Sequence, residues 1–372
     1  MFDKLNLDGV SFGPSQVWKN VRLVPLIREK CTSDLRLTKI DYDQEYSQVY
    51  LNDQTSYESY IPFGLIASWG TENEVRFNQQ ALVNSKKKKS AFDHHFRLVG
   101  KVDKNKVRIL PFHMAMEAFL STAFKRPEVR KKEFTNEFNR FGLQYRSEFG
   151  WKSEWLEYVN ASLGVFEILE NQCGMMIFIS DSLASCFLLP NHSDYRYLHY
   201  TLLMDCYSEL MWHYSCADYD VQKLSFSMDE DRVRDVKTLR KEFDLAMSEL
   251  ESLDKKLASG LLDRDLFIQK IYKLGKNELS RFRTDFFEGR DEDHIGEIIS
   301  DSSGVVQYLK TYRLGIDQLK RGKFLQRLEE KDWDISSAAR ADGLQRGQWL
   351  RAFVKAGLGD ILNANTLSEL RD

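Results

Sequence analysis

His113, Glu117 and Ser121 recur at i, i+4 and i+8 within residues 112–124, a stretch otherwise apolar on nearly all sides. On a helix that spacing puts the three on one stripe. Polar groups inside a buried helix need partners, so the stripe faces either a hydrogen-bond network or a cleft. A His and a Glu one turn apart suit acid–base work, or two of the ligands of a metal whose third comes from elsewhere. A denser cluster is Asn191-His192-Ser193-Asp194-Tyr195-Arg196-Tyr197-Leu198-His199. It lies where an apolar strand ends and a helix begins, and helix N-termini hold anions. His199 therefore joins His113 and Glu117 as a candidate acid or base, and Arg196 is a candidate anion clamp. Asp194 is a candidate ligand contact and also a natural N-cap. Further along, Asp205, Glu209 and His213 repeat the same spacing. Asp205 and Glu209 are candidate ligand contacts, and Glu209 with His213 also reads as a paired surface. Each cluster alone suits structure more than catalysis. Together they point to a polar pocket in the first half, since perturbed ionisable groups gather at sites. No nucleophile elbow, P-loop, dinucleotide fingerprint or zinc-protease signature is present, and Asp93-His94-His95 is a slender metal motif, so no cofactor or metal is expected.

The elements that must position these groups follow from composition and patterning. The chain has 372 residues, 42% apolar and 29% charged, with a formal net charge of -3. That balance suits a folded protein of two to three domains and argues against disorder and against nonspecific polyanion binding by the whole chain. The five cysteines are odd in number and none forms a Cys-x-x-Cys pair, so the thiols read as free in a reducing, cytoplasmic setting. Met1-Phe2-Asp3-Lys4 does not open a signal peptide. All six prolines fall in the first 190 residues, leaving a proline-free remainder suited to long helices. Residues 17–27, 57–69 and 96–110 are rich in β-branched and aromatic side chains and predict strands, with a hairpin turn at Asp103-Lys104-Asn105. The run Lys86-Lys87-Lys88-Lys89 reads as a solvated loop. Residues 112–124, 128–141 and 153–169 predict helices. Residues 173–190, broken at Ser180-Asp181-Ser182, predict two buried strands and a tight turn, neither long enough to cross a bilayer. A helix follows over 194–214.

Val236, Leu239, Phe243, Ala246, Leu250, Leu253 and Leu257 alternate by three and four, the seam of a helix packed along a helix. Ile268, Tyr272, Gly275, Leu279 and Phe282 extend that rhythm and predict a second helix, capped by Asp263 after Gly260. The pair predicts an antiparallel helical hairpin, serving either as a homodimerisation arm through residues 233–286 or as an intramolecular strut. Residues 324–362 predict three short helices. Asp334 caps the second, Ala338-Ala339 allows close approach, Gly343 makes the turn, Leu344 plugs the corner, and the third helix buries Leu350, Phe353 and Val354 before Gly357. Asp334-Ile335-Ser336-Ser337-Ala338-Ala339-Arg340-Ala341-Asp342-Gly343-Leu344 is similar to the Fis-type helix-turn-helix of bacterial regulators. Its third helix would present Gln345, Arg346, Gln348, Arg351 and Lys355 as candidate DNA contacts. From 321 to 362 eight Lys and Arg stand against six Asp and Glu, a thin electrostatic footprint, and Trp349 fits a reading helix poorly.

Several segments, in their order, resemble one family: Val21-Arg22-Leu23-Val24-Pro25-Leu26-Ile27-Arg28, Ser59-Tyr60-Ile61-Pro62-Phe63-Gly64-Leu65, Leu110-Pro111-Phe112-His113-Met114-Ala115-Met116-Glu117, Asp181-Ser182-Leu183-Ala184-Ser185, and Asp194-Tyr195-Arg196 with His199. The helix-turn-helix and Ala356-Gly357-Leu358-Gly359-Asp360-Ile361-Leu362 complete the order. They are similar to the bacterial family named for its association with ADP-ribosylglycohydrolases and rhodanese-phosphatases. The resemblance implies a neighbourhood of ADP-ribose or phosphate chemistry but carries no catalytic role to any residue. The expectation is an α+β protein: a mixed domain over 1–225, a helical hairpin over 228–315 and a helix-turn-helix-like domain over 320–372. Its expected function is that of a non-enzymatic adaptor or regulator in a bacterial stress, defence or ADP-ribosylation-linked system, engaging DNA or a partner protein through 320–372. The alternative is an enzyme acting on an ADP-ribose- or phosphate-containing substrate through His113, Glu117, Arg196 and His199.

Overall fold

The computed structural model describes residues 2–41 apart from 19 and 32, then 48–52, 55–58, 63–70, 99–109 apart from 104, 124, 132–135, 165–214, 230–287 and 293–370. The first strands are Phe2–Asp3 (β1), Ser11–Phe12 (β2), Gln16–Trp18 (β3), Val21–Ile27 (β4), Arg36–Asp41 (β5), Gln48–Asn52 (β6), Thr55–Glu58 (β7) and Phe63–Ser68 (β8). Val99–Asp103 (β9), Lys106–Ile109 (β10), Gln172–Ile179 (β11) and Ser182–Leu188 (β12) lead to the helices His192–Tyr214 (α1) and Val236–Leu262 (α2). Four strands follow: Leu266–Leu274 (β13), Asn277–Arg283 (β14), His294–Ser300 (β15) and Val306–Arg313 (β16). Ile316–Glu330 (α3), Ile335–Ala341 (α4), Arg346–Phe353 (α5) and Ala364–Ser368 (α6) close the chain. Among the described residues no helix is long and apolar enough to cross a membrane.

The fold is α+β, built on a ten-stranded antiparallel sheet ordered β1-β13-β14-β15-β16-β12-β11-β4-β2, with β3 also on β4. A four-stranded sheet, β5-β8-β10-β9, and the β6–β7 pair stand apart from it. Strand β11 is buried at all its positions, as a strand covered on both faces requires. Val21, Leu23, Met175, Ile177, Phe187, Ile295 and Tyr308 pack on one face with Tyr195, Leu198 and Leu202 of α1 and with the C-terminal helices. Val24, Leu26, Met176, Cys186, Ile298 and Leu309 pack on the other with Ala258 and Leu261 of α2. Pro25 sits inside β4 without breaking it. Strand β2 pairs with Leu26 and Ile27, β3 pairs with Val21 to Leu23, and the missing N–H falls in the gap between them. The Pro25 carbonyl is still used, accepting from Gly13 N at 2.8 Å.

The β11–β12 hairpin turns at Ser180 and Asp181, both with positive φ, where the sequence places it. Helix α3 begins at Ile316, ahead of the expected 324, while α1, α2 and α4 also fall where expected. The second leg of the helical hairpin does not. Residues 266–283 form the β13–β14 hairpin, and 294–313 add β15 and β16 to the same sheet. The physical reason is that a spacing of four satisfies a period of two as well as one of 3.6. Ile268 to Tyr272 and Gly275 to Leu279 therefore fit a strand, and a bulge between Lys270 and Tyr272 and the turn at Gly275 (φ 61°) break strict alternation. Asp263 ends α2 instead of capping a new helix. Of the expected helix over 128–141 only residues 132–135 are described, and there Phe134 makes a β-bridge with Leu362 instead. The expected helix over 112–124 lies outside the described residues apart from Phe124, and the Lys86-to-Lys89 run lies outside them altogether.

Asp254, near the C-terminal end of α2, is inaccessible, and neither carboxylate oxygen has a hydrogen-bond partner. Burial pushes its carboxyl up to about 6, against the opposing pull of Arg22. A carboxyl whose folded value lies above its unfolded one costs nothing below about pH 4 and costs most above the folded value. Asp254→Asn is therefore expected to stabilise the protein by about 2 kcal/mol at pH 7 and by nearly nothing at pH 4. Denaturant unfolding at the two pH values checks this; equal gains at both would refute it.

Candidate functional site

The first turn of α1 gathers the densest polar network. Asn191 caps the helix, its Oδ1 accepting from Ser193 N at 2.8 Å. Asp194 is thereby released from capping and turns to β5. It accepts from Arg36 Nε at 2.9 Å, Arg36 Nη2 at 2.5 Å and Leu37 N at 3.1 Å. This bidentate pair raises the Arg36 guanidinium and pins the smaller sheet to α1. Behind it runs a chain of bonds: Gln172 Nε2 donates to Tyr195 Oη at 2.9 Å, Tyr195 Oη lies 2.8 Å from His199 Nδ1, and His199 Nε2 lies 3.3 Å from the Phe166 carbonyl. One tautomer satisfies all three, with Tyr195 donating to Nδ1 and Nε2–H donating to Phe166. Burial lowers the His199 pKa, so the ring is neutral. Both nitrogens are then occupied, and His199 serves as a strut. Tyr195→Phe is expected to cost about 1–2 kcal/mol, because Gln172 and His199 each lose a buried partner. A melt unchanged by that variant would contradict the network.

Arg196 is exposed while His199 beside it is buried, so the two do not share a lining. His113 and Glu117 lie outside the described residues. So do the side chains of Asp205, Glu209 and His213, whose backbone belongs to α1. Cys31 is exposed with Sγ 3.5 Å from His192 Nδ1, whereas burial pushes the Cys173 thiol up to about 12 and that of Cys186 up as well. Among the described residues no group of three or more His, Cys, Asp or Glu is arranged to hold a metal ion.

The sequence reading missed a row of charges across the large sheet. Arg281, Glu297 and Lys310 are register neighbours on β14, β15 and β16, and Phe187 on β12 continues the row. Tyr308 Oη donates to Glu297 Oε1 at 2.8 Å, and Lys310 Nζ stands 5.4 Å from the Phe187 ring centre. Burial pushes the Glu297 carboxyl up to about 7, against Lys310. Such a value suits a general acid, but Glu297 and Lys310 are both 1% exposed, and a substrate cannot reach them in this conformation. The readable signal was a single charged residue inside each of two apolar stretches, Glu297 in 294–300 and Lys310 in 306–312.

At the other end of the chain the exposed candidates form a face. Asp334 Oδ1 caps α4 by accepting from Ser337 N at 2.6 Å, and Gly343 turns the chain with φ 68°. Helix α5 buries Trp349, Leu350 and Phe353 against Leu325, Leu328, Ile335, Ala338 and Ala339. Trp349 donates from Nε1 to Asp342 Oδ2 at 2.8 Å and stacks on Phe353. Leu344, expected to plug the corner, is 39% exposed, whereas Trp349 is fully buried. Opposite this packed side, Gln345, Gln348, Arg351 and Lys355 are all exposed, at spacings of three and four. Arg346 is engaged elsewhere: its Nε and Nη2 bond Glu369 at 2.9 and 3.2 Å, and Nη1 bonds Ser336. The helices are also fixed to the rest of the protein. Arg283 Nη2 pairs with Glu329 at 3.0 Å, Thr135 N donates to the Ile361 carbonyl, and Phe134 meets Trp333 edge-on.

The chain belongs to the ARPP-2 family, whose model matches residues 5–275. The match runs through β13 and leaves β14 to α6 beyond its end. No curated protein and no solved structure matches this chain.

Proposed function

We propose that the protein is a non-enzymatic regulator or adaptor whose C-terminal helices form a helix-turn-helix-like unit that engages DNA, with a partner protein as the alternative target. The family resemblance supplies the setting, a bacterial stress, defence or ADP-ribosylation-linked system. The observation that carries the reading is the exposed row Gln345, Gln348, Arg351 and Lys355 on a helix whose other side is locked by Trp349, Leu350 and Phe353. Gln348 Oε1 accepts from Gln345 N at 3.2 Å, so that face offers the Gln348 amide nitrogen, the Gln345 amide and two cations, groups that suit base edges and phosphates. Of the candidate catalytic groups, the two that are described do not form one site: His199 is buried with both ring nitrogens engaged, and Arg196 is exposed.

Selection of duplexes from a random pool by the full chain tests the reading. An enriched sequence is expected, and Gln348→Ala is expected to relax preference at one base pair by about 1–3 kcal/mol. Recovery of the unselected pool, with a co-purified protein held through the same face, would move the target from DNA to protein.

A further inference from the structure

Helix α2 is used by the fold over only half its length. Its C-terminal turns bury Asp254, Ala258 and Leu261. The same side of the helix continues upstream through Val236, Leu239, Phe243, Met247 and Leu250, at spacings of three and four. There it covers little: Val236 is 67%, Leu239 41% and Phe243 54% exposed. A cavity of about 220 Å³ between Phe12, Pro14, Met247 and Glu251 marks where the helix parts from the body. The overhang is nevertheless well started. Asp235 accepts from Thr238 N at 2.7 Å, and Thr238 Oγ1 accepts from Asp235 N at 3.0 Å. Four turns of helix with an apolar stripe in water are marginal unless something packs on them.

We propose that a second copy of this chain covers that stripe, its α2 antiparallel to the first. The argument is charge. Alongside the stripe runs the row Lys237, Arg240, Asp244 and Glu251, basic at its start and acidic at its end, with the first three exposed and Glu251 already bonded to Lys255 at 2.7 Å. Turning one copy end for end about Phe243 lays Val236 on Leu250 of the second copy, Leu239 on its Met247, and Phe243 on its Phe243. The charged row then runs against itself, bringing Lys237 to Glu251 and Arg240 to Asp244 across the seam, each twice by symmetry. Parallel copies would instead set like charges side by side. This inference does not rest on the DNA reading.

The test is the mass of the full chain in solution at tens of micromolar. Wild type is expected at twice 43.6 kDa, and Phe243→Glu as a 43.6 kDa species with unchanged circular dichroism. Arg240→Glu is expected to weaken the dimer about tenfold or more, since two attractions become two repulsions. The reversal Arg240→Glu/Asp244→Arg is expected to restore wild-type affinity to within about threefold. A 43.6 kDa mass at every concentration would assign the stripe to a different protein and overturn the proposal. So would a dimer indifferent to Phe243→Glu, or a charge reversal that fails to rescue.

Discussion

Arg264→Ala is expected to lower stability by about 3–5 kcal/mol at pH 7, the cost of stranding a buried carboxylate. Arg264 Nη1 lies 2.7 Å from Asp293 Oδ1, with the two side chains 3% and 1% exposed. The guanidinium also donates to the Asp285 carbonyl at 3.2 Å, and Thr284 Oγ1 donates to the same Asp293 oxygen at 2.9 Å. The pair joins the end of α2 to the start of β15, so it ties the helix to the strands that follow it. Burial already pushes the Asp293 carboxyl up, with Arg264 the main opposing pull. Without the arginine the folded value rises further. The sign then follows: a carboxyl raised above its unfolded value leaves stability intact at low pH and removes it as pH climbs through the folded value. The deficit of Arg264→Ala should therefore be small near pH 4 and full at pH 7. Arg264→Ala/Asp293→Asn should recover part of it, because no unpaired charge remains. Chemical unfolding of the three variants at both pH values decides it; a deficit independent of pH would rule out the stranded carboxylate.

Trp349→Ala is expected to cost about 3–5 kcal/mol. Trp349 is fully buried, its ring stacks on Phe353 at 5.0 Å and meets Phe324 edge-on at 5.1 Å, and its Nε1–H is satisfied by Asp342. Removing it opens a large hole where α3, α4 and α5 meet and leaves one Asp342 oxygen without its donor, while Arg327 keeps the other at 2.6 Å. The same residue bears on function. Gln348 and Arg351 keep their positions only if α5 stays seated, so Trp349→Ala should damage binding through the fold. Arg351→Ala touches no packing and should leave stability within about 0.5 kcal/mol while weakening binding. Thermal melts beside binding curves separate the two; equal melting losses would deny Arg351 its exposed role.

The sequence was most informative where one period dominated. Strands β11 and β12 read as near-continuous apolar runs because both sheet faces are covered, β4 does so apart from Arg22, which pairs with Asp181, and the apolar spacing of α1 fixes its buried side. The stretch 266–283 was misread because its fours are also evens, and its Gly275-Lys276 turn carried the information that the spacing lacked. Site chemistry was legible by residue type but not by use. His199 looks like a catalytic imidazole until Tyr195 and the Phe166 carbonyl are seen to take both its nitrogens. Asp194 looks like a cap until Asn191 is found doing that work. Arg346 looks like a DNA contact until Glu369, 23 positions later, is found holding it. These uses depend on contacts between distant segments, which no local pattern encodes. The row through Arg281, Glu297 and Lys310 was hidden for the same reason, since strand register alone aligns it.

The claim that the outer face of α5 is the working surface is tested most directly by binding of the full chain to duplex DNA across a salt series. Wild type should bind at low salt, with affinity falling linearly in log–log form. Arg351→Ala/Lys355→Ala should reduce that slope by about 2, near one for each cation removed, whereas Arg346→Ala should leave it unchanged because Glu369 already occupies that side chain. No binding at about 50 mM salt, or a slope lowered by Arg346→Ala and untouched by the double variant, would contradict the account.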